Sequence, residues 1–309
     1  MSSFLISGGN GFLGTYLTVK ALNKKHEVTV VDDFSTSKVR QLPETVKLIS
    51  TRIETYSDLS RYDYVVHLAA RPSPEDYMAN PLDTIMSNSK GTLKMLEIAR
   101  RGDSVFMYTS SSEIYGNANV IPTPESYFGF VNPNGLRSCY DESKRFSEAL
   151  IMAYNRQYGL DTRIQRPFNI YGPGIRGDGV YGRVIPRFIS QALNNHDLTV
   201  HGKGSQTRSF LYIDDWLEAT WSLLIHKKLS GTVVNIGSDV EISIYDLAKL
   251  IAKMTECQSS LVTSEARNDD PERRSADISL AKSILNWEPR VSLEEGLLRT
   301  VEWLRSKTR

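Results

Sequence analysis

The first half of the chain alternates short apolar runs with longer stretches in which apolar residues recur every three to four positions. Phe4-Leu5-Ile6, Val28-Thr29-Val30-Val31, Val65-Val66-His67-Leu68 and Val105-Phe106-Met107-Tyr108 are nearly continuous apolar runs. That is the pattern of strands buried on both faces. Helical patterns lie among and after them at about 13–25, 81–101 and 138–158. Strands alternating with helices predict an α/β fold, a Rossmann-type doubly wound parallel sheet. Beyond Pro167 the texture changes. Tyr171-Gly172-Pro173-Gly174 and Gly177-Asp178-Gly179 break the pattern, and shorter elements follow among Arg176, Arg183, Arg187 and Arg208. We expect there a smaller mixed α/β domain that closes over a substrate. Val233-Val234-Asn235-Ile236 reads as one more strand of the main sheet, so the chain is expected to cross between domains more than once. The predicted division is 1–167 plus about 211–236 for the first domain, and 168–210 plus 237–309 for the second.

Composition narrows the function classes. The 309 residues can bury a sizeable core, and the net charge of +1 implies neither a polyanion nor a membrane surface as partner. No basic stripe suggests nucleic acid. No apolar run approaches the roughly 20 residues of a membrane span. The start, Met1-Ser2-Ser3-Phe4-Leu5-Ile6, runs into a strand pattern without the basic region of a secretory leader, so none is expected. Two cysteines, Cys139 and Cys257, fit a reduced, cytoplasmic protein. The five histidines (His26, His67, His196, His201, His226) have no metal-ligand spacing, and no metal is predicted.

Gly8-Gly9-Asn10-Gly11-Phe12-Leu13-Gly14 follows the first strand and opens a helix. Gly8, Gly11 and Gly14 permit a tight turn, close approach to a pyrophosphate, and close helix–strand packing. The anion then meets the helix N-terminus. Asp32 closes the second strand, where a carboxylate accepts from a ribose 2′-hydroxyl and repels a 2′-phosphate. The expected cofactor is NAD rather than NADP, with Lys38 and Arg40 nearby on the other side of the balance.

Tyr140 and Lys144 are four apart and share one helix face. An ammonium beside a phenol favours the phenolate, which makes Tyr140 a usable base near neutral pH. Ser111 follows a strand, at the end of the sheet where open α/β folds place ligands, and can bond the same substrate oxygen.

These features resemble the extended short-chain dehydrogenase/reductases, in particular the NAD-dependent sugar-nucleotide epimerase/dehydratase group, over essentially the whole chain. The segments that carry the resemblance are His67-Leu68-Ala69-Ala70, Ser73-Pro74-Glu75-Asp76-Tyr77-Met78-Ala79-Asn80-Pro81, Ser112-Glu113-Ile114-Tyr115-Gly116, Cys139-Tyr140-Asp141-Glu142-Ser143-Lys144-Arg145, Gly204-Ser205-Gln206-Thr207-Arg208 and Asp269-Asp270-Pro271-Glu272-Arg273-Arg274. Asn132-Pro133-Asn134-Gly135-Leu136-Arg137-Ser138-Cys139-Tyr140 is most similar to the UDP-glucuronate decarboxylase (UDP-xylose synthase) branch.

The resemblance implies NAD-dependent chemistry on a UDP-sugar. It implies that dehydratases carry Asp-Glu after the serine, that epimerases carry no acid there, and that decarboxylases carry Ser-Glu, as Ser112-Glu113 does here. Once C4 of a hexuronate is a ketone, its C6 carboxylate belongs to a β-keto acid, and CO₂ leaves without an acid to expel a hydroxyl. By the same resemblance Ser111, Ser112, Glu113, Tyr140, Lys144 and Arg208 form the catalytic set. Gly8, Gly11, Phe12, Leu13, Gly14, Asp32, Leu68, Ala69, Ala70, Asn88, Tyr140 and Lys144 would line the cofactor. Tyr77, Asn169, Arg183, Val184, Arg187, His201, Arg208 and Arg274 would line the nucleotide sugar. A homodimer is implied through helices 81–101 and 138–158, with Ile85, Leu93, Leu96, Phe146 and Leu150 as candidates for its apolar face. Other readings on the same scaffold are C4 epimerisation, dehydration, or a catalytically inactive cofactor-sensing protein. The chain departs from the group at Arg52-Ile53, where an Asp usually meets adenine. It departs also at His201, where a Tyr is common near uracil, and in the loop from Gly174 to Arg183.

Overall fold

A computed structural model describes residues 1–37, 40–177, 182–265 and 271–308. Lys38, Asp178, Gly179, Val180, Tyr181, Asp269 and Asp270 lie outside the described residues. The elements begin with β1 (Ser3–Ser7), α1 (Phe12–Asn23), β2 (Glu27–Asp32), β3 (Lys47–Ser50) and β4 (Tyr64–His67). Next come α2 (Pro74–Ala79), α3 (Pro81–Met86), α4 (Thr92–Gly102), β5 (Val105–Thr109), α5 (Ser138–Tyr158), β6 (Thr162–Pro167) and β7 (Ile170–Tyr171). Then come α6 (Val184–Leu193), β8 (Leu198–His201), β9 (Thr207–Ser209), β10 (Leu211–Tyr212), α7 (Ile213–Ile225), β11 (Thr232–Ile236) and β12 (Glu241–Ser243). The chain ends with α8 (Ile244–Thr255), β13 (Leu261–Ser264), β14 (Arg273–Arg274), α9 (Ser279–Leu285) and α10 (Leu293–Thr308).

The chain divides into two compact units. The first holds Met1–Ile114, Asn132–Arg166 and Ala219–Val234; the second holds Tyr115–Val131, Pro167–Glu218 and Asn235–Arg309.

In the first unit the strands follow the order β3-β2-β1-β4-β5-β6-β11, and the registered pairs run parallel. This is the doubly wound order expected from the pattern, with its switch point between β1 and β4. Phe4, Leu5, Val65, Phe106 and Ile164 are inaccessible to solvent, and α4 and α5 cover Leu5, Val65, Phe106 and Ile164 with Met95, Leu96, Ala99 and Ile151. Phe4 stacks on Tyr64 at 4.6 Å and on Trp221 at 5.9 Å.

β6 is buried although Arg163, Gln165 and Arg166 fill it. Each has partners. Arg163 pairs with Asp161 at 2.9 Å and donates to the Leu223 carbonyl at 3.1 Å. Gln165 donates to Thr109 Oγ1 at 2.9 Å and accepts from Thr220 Oγ1 at 2.8 Å. Arg166 grips Glu148 with two bonds of 3.0 and 2.6 Å.

The helix expected over 81–101 is α3 and α4 joined by a π turn, Ser87–Gly91. There the Thr92 hydroxyl and the Ser147 hydroxyl of α5 both donate to the Asn88 carbonyl, and inserted side-chain bonds of this kind disturb the helical ladder. Leu96, a candidate for the outer face, points instead into the core, and Leu150 packs against that core. Ile85, Leu93 and Phe146 remain exposed.

In the second unit β9 lies between β12 and β14, β8 pairs with β13, and β7 pairs with β10. Residues 115–131 belong here because backbone bonds tie Thr123 to Ser275 at 2.9 Å and to Asp277 at 3.1 Å. The Asn235 amide also donates to the Thr123 carbonyl at 2.9 Å.

Replacing Phe4 with alanine removes a fully buried ring and both stacks, at a cost of about 3–5 kcal/mol. Chemical denaturation of F4A against the parent chain, read at equal slope, measures this loss.

Candidate active site

The turn after β1 is shaped by its glycines. Gly8 has φ +70, and its N–H donates to the Val31 carbonyl at 2.8 Å. A Cβ on Gly8 would stand 2.6 Å from the Ala69 nitrogen, so the backbone after β4 passes against it. A Cβ on Gly14 would stand 2.6 Å from Gly9 Cα, which seats α1 against the turn. Gly11 precedes α1 in extended conformation with no side-chain cap, and Phe12 and Leu13 open the helix. The N-terminal amides of α1 have no side-chain cap at Gly11, an arrangement in which a helix start can receive an anion.

Asp32 ends β2. Its carboxylate accepts the Asn10 N–H at 3.0 Å and the Phe34 N–H at 2.9 Å. Burial raises its pKa and these two bonds oppose the rise. Leu68, Ala69 and Ala70 leave β4 half-buried, with the Leu68 N–H bonded to the Ser7 carbonyl at 3.0 Å. These residues fit a dinucleotide at the switch point of the sheet.

Asn88 sits in the π turn, buried, and donates to Ser143 Oγ at 2.9 Å. Ser143 in turn donates to the Cys139 and Tyr140 carbonyls. The break in the helix thus aims Asn88 at the first turn of α5, while no described group donates to its Oδ1.

Tyr140 and Lys144 are both buried on α5. The Lys144 ammonium donates to the Thr109 carbonyl at 2.8 Å and lies 4.6 Å from the Tyr108 ring and 5.7 Å from the Tyr140 ring. Burial pushes its pKa down to about 7, opposed by the Glu148 carboxylate. His67, which shares a 2.6 Å bond with Ser7, is pushed down to about 3 by burial and then by the Lys144 charge, so it is a neutral ring.

Tyr77 stacks on Tyr140 at 5.0 Å with planes 11° apart. Burial raises the Tyr77 pKa, with Glu113, Arg137, Asp141 and Tyr140 as the charges around its phenol. Ser111 Oγ accepts the Glu113 N–H at 3.2 Å, and Ser112 is buried at the start of a 3₁₀ turn, Ser112–Tyr115. The Glu113 carboxylate is ion-paired with Arg137. Arg137 is the residue that inspection of the sequence passed over. It lies inside Asn132–Tyr140, the stretch singled out for its pattern, but nothing in its spacing points to Glu113.

In the second unit Arg208 and Arg274 stand opposite each other on β9 and β14. Both are buried, and Arg208 donates to the Thr207 carbonyl at 2.8 Å. Asn169, at φ +44, donates to the Ser209 carbonyl at 2.8 Å beside the same strand. Arg187 on α6 meets His201 Nε2 at 2.8 Å and the Thr199 carbonyl at 3.3 Å. An arginine only donates, so Nε2 is the acceptor and Nδ1 carries the proton toward Ser264 Oγ at 2.8 Å. Arg183 precedes α6 and Val184 opens it. Among the described residues no cluster of His, Cys, Asp and Glu could hold a metal.

A glycine turn at the switch point of a doubly wound sheet, with Tyr and Lys one turn apart on a neighbouring helix, defines a nucleotide-dependent dehydrogenase fold. Residues 4–237 match the NAD dependent epimerase/dehydratase family, and the chain belongs to that family. It is 41% identical to UDP-glucuronic acid decarboxylase 1 of Xenopus tropicalis, over 98% of this chain and 72% of that protein. The fold matches the UDP-glucose 4-epimerase of Thermotoga maritima, solved with UDP-glucose, at a TM-score of 0.93 and 30% identity, covering 99% of this chain and 100% of the other. It also matches MoeE5 in complex with UDP-glucuronic acid and NAD, at a TM-score of 0.87 and 26% identity over 99% of each chain. The protein is thus an NAD-dependent enzyme of this family.

Substituting Gly14 with valine forces α1 away from the turn. The expected outcome is loss of NADH binding, measured by fluorescence titration, with the fold retained by circular dichroism.

Proposed function

We propose that this enzyme decarboxylates UDP-glucuronate, by oxidation at C4, loss of CO₂, and re-reduction to UDP-xylose or release as the UDP-4-keto-pentose. The observation that carries this is the 41% identity to a UDP-glucuronic acid decarboxylase across 98% of the chain. The Ser112-Glu113 pair, in place of Asp-Glu, supports it.

NAD supplies a hydride acceptor for the first step and a hydride donor for the last. Gly8, Gly11, Gly14 and the α1 amides are assigned to its pyrophosphate, and Asp32 to the ribose. Leu68, Ala69, Ala70 and Asn88 are assigned to the remaining contacts. Tyr140 is the assigned base: its Oη takes the C4 hydroxyl proton and returns it at the end. Lys144 favours the phenolate. Ser111 donates to the same oxygen. When C4 is a ketone, the C5–C6 bond breaks, CO₂ leaves, and the bonding electrons form the C4–C5 enolate. C5 then takes up one proton. Ser112 and Glu113 are assigned to this end of the sugar, where the Ser112 hydroxyl, a donor fixed in advance toward the developing charge, lowers the barrier. Tyr77 is assigned to the sugar.

Arg208 and Arg274 are assigned to the diphosphate, since two buried guanidiniums in register suit its oxygens. Asn169, Arg183, Val184, Arg187 and His201 are assigned to the nucleotide.

We further propose a homodimer through α3, α4 and α5, supported by exposed Leu82, Ile85, Met86, Leu93 and Phe146. No described helix is long and apolar enough to cross a membrane. The free thiols Cys139 and Cys257 support a cytoplasmic setting.

Incubation with NAD and UDP-glucuronate, followed by mass spectrometry, should show the nucleotide sugar lighter by one CO₂. A product of unchanged mass would point to C4 epimerisation instead. Replacing Tyr140 by Phe should lower turnover by about 10²–10⁴-fold. Sedimentation at micromolar concentration should give a dimer that dissociates when Leu93 is changed to Asp.

A further inference from the structure

We propose that Arg137 is a positioning residue for this reaction, holding Glu113 as an aimed, ionised carboxylate next to Ser111. The proposal rests on the decarboxylase reading above and assigns the group that decides what Glu113 can do.

Arg137 precedes α5 with helical backbone angles and is 8% exposed. A cation at a helix N-terminus opposes the helix dipole, and capping chemistry favours Ser, Thr, Asn or Asp there. Local folding therefore does not explain an arginine at this position. A guanidinium also stays charged in proteins, so burying it demands an opposite charge. Glu113 supplies that charge through a direct ion pair with Nη2 of Arg137. The backbone of Glu113 is fixed from the other side, since its N–H donates to Ser111 Oγ at 3.2 Å. Two constraints thus act on Glu113: a backbone bond to Ser111, and a side-chain ion pair to Arg137 at the start of the helix that carries Tyr140 and Lys144.

Both members of this pair act electrostatically on the Tyr77 phenol of α2, as do Tyr140 and Asp141 of α5. A substrate carboxylate is an anion and would drive Glu113 toward its protonated form were Arg137 absent. The protonation state matters chemically. A neutral Glu113 would have a proton to give as a general acid. An ionised Glu113 only accepts, so it can orient a hydroxyl or a water but has no proton to give. Arg137 would thereby hold Glu113 in the form that accepts.

The test compares holoenzyme variants R137M, R137K, E113Q and R137M/E113Q, assayed for CO₂ release from UDP-glucuronate across pH. NADH titration and thermal melting serve as checks of folding. R137M should lose about 10²-fold in kcat. The acid limb of its kcat profile should move up by about one pH unit, because the cation that favours ionisation is gone. R137K should restore the limb, and R137M should no longer move it in the E113Q background. Should R137M fail to fold, R137Q gives the same comparison with a neutral side chain that retains hydrogen bonding. A folded R137M with parental kcat and pH profile overturns the proposal. So does a loss uniform across pH that R137K does not repair, which would be a purely structural role. A parental enzyme that releases no CO₂ overturns the decarboxylase reading and this proposal together; parental activity with an unmoved R137M profile overturns this proposal alone.

Discussion

Burying the ammonium of Lys144 constrains much of the first unit. At 2% exposure the group has no access to bulk water, and burial alone would discharge it near neutral pH. What the fold provides is a backbone carbonyl at the end of β5, the face of Tyr108, and a carboxylate one turn further along α5. That carboxylate, Glu148, is itself buried and needs its own partner, which is Arg166 on β6. The central strands and α5 are thus tied by charges as well as by apolar packing. Placing His67 below the lysine is compatible with this only because the ring is neutral. The same set of contacts fixes the height of α5 on the sheet, and so where Tyr140 stands.

This network also accounts for what the sequence disclosed and what it hid. The strands with continuous apolar runs were legible because a doubly covered strand has no polar face. β6 was not: Thr162-Arg163-Ile164-Gln165-Arg166-Pro167 reads as a surface strand unless the partners of its polar groups are known, and those partners come from Asp161, Glu148, Thr109 and Thr220. β3 was missed for the opposite reason, since Lys47–Ser50 sits at the edge of the sheet, half exposed, and carries little pattern. Periodicity reported the helix over 81–101 and could not report its π turn, where hydroxyl groups of Thr92 and Ser147 meet one carbonyl. The glycine turn, Asp32, Tyr140 and Lys144 were legible because their spacing is fixed by one local element. Arg137–Glu113 joins positions separated by a loop that the second unit claims, and no spacing rule reaches across it.

The second unit handles charge differently. Arg208 and Arg274 are aligned on neighbouring strands with their charges of one sign in register. Like charges side by side on neighbouring strands are unfavourable unless partners offset them. In the proposed assignment a diphosphate would meet both guanidiniums. Arg187 shows the complementary arrangement: its direction is set by a neutral histidine that accepts from it and by a backbone carbonyl. A histidine at position 201 can do this only with its proton on the far nitrogen, where Ser264 receives it. Where the wider family commonly carries a tyrosine, this chain therefore couples an arginine's orientation to an imidazole tautomer.

The contrast between the units bears on how one scaffold supports several reactions. Oxidation at C4 needs only the base, its lysine and the dinucleotide turn, and these parts serve epimerisation, dehydration and decarboxylation alike. The fate of the 4-keto sugar depends on whether a proton is available beside C5 and C6. A dehydration must hand a proton to a departing hydroxyl; a β-keto acid loses CO₂ without one. With Ser112 in place of an aspartate and Glu113 bound to a permanent cation, this end of the site holds no acid on either residue in the geometry observed. The proton that C5 finally takes must then be delivered by water or by a group that gains it during the reaction. In the proposed reading, the ion pair with buried Arg137 keeps Glu113 an acceptor, and the serine at 112 leaves the position of the eliminating acid without one.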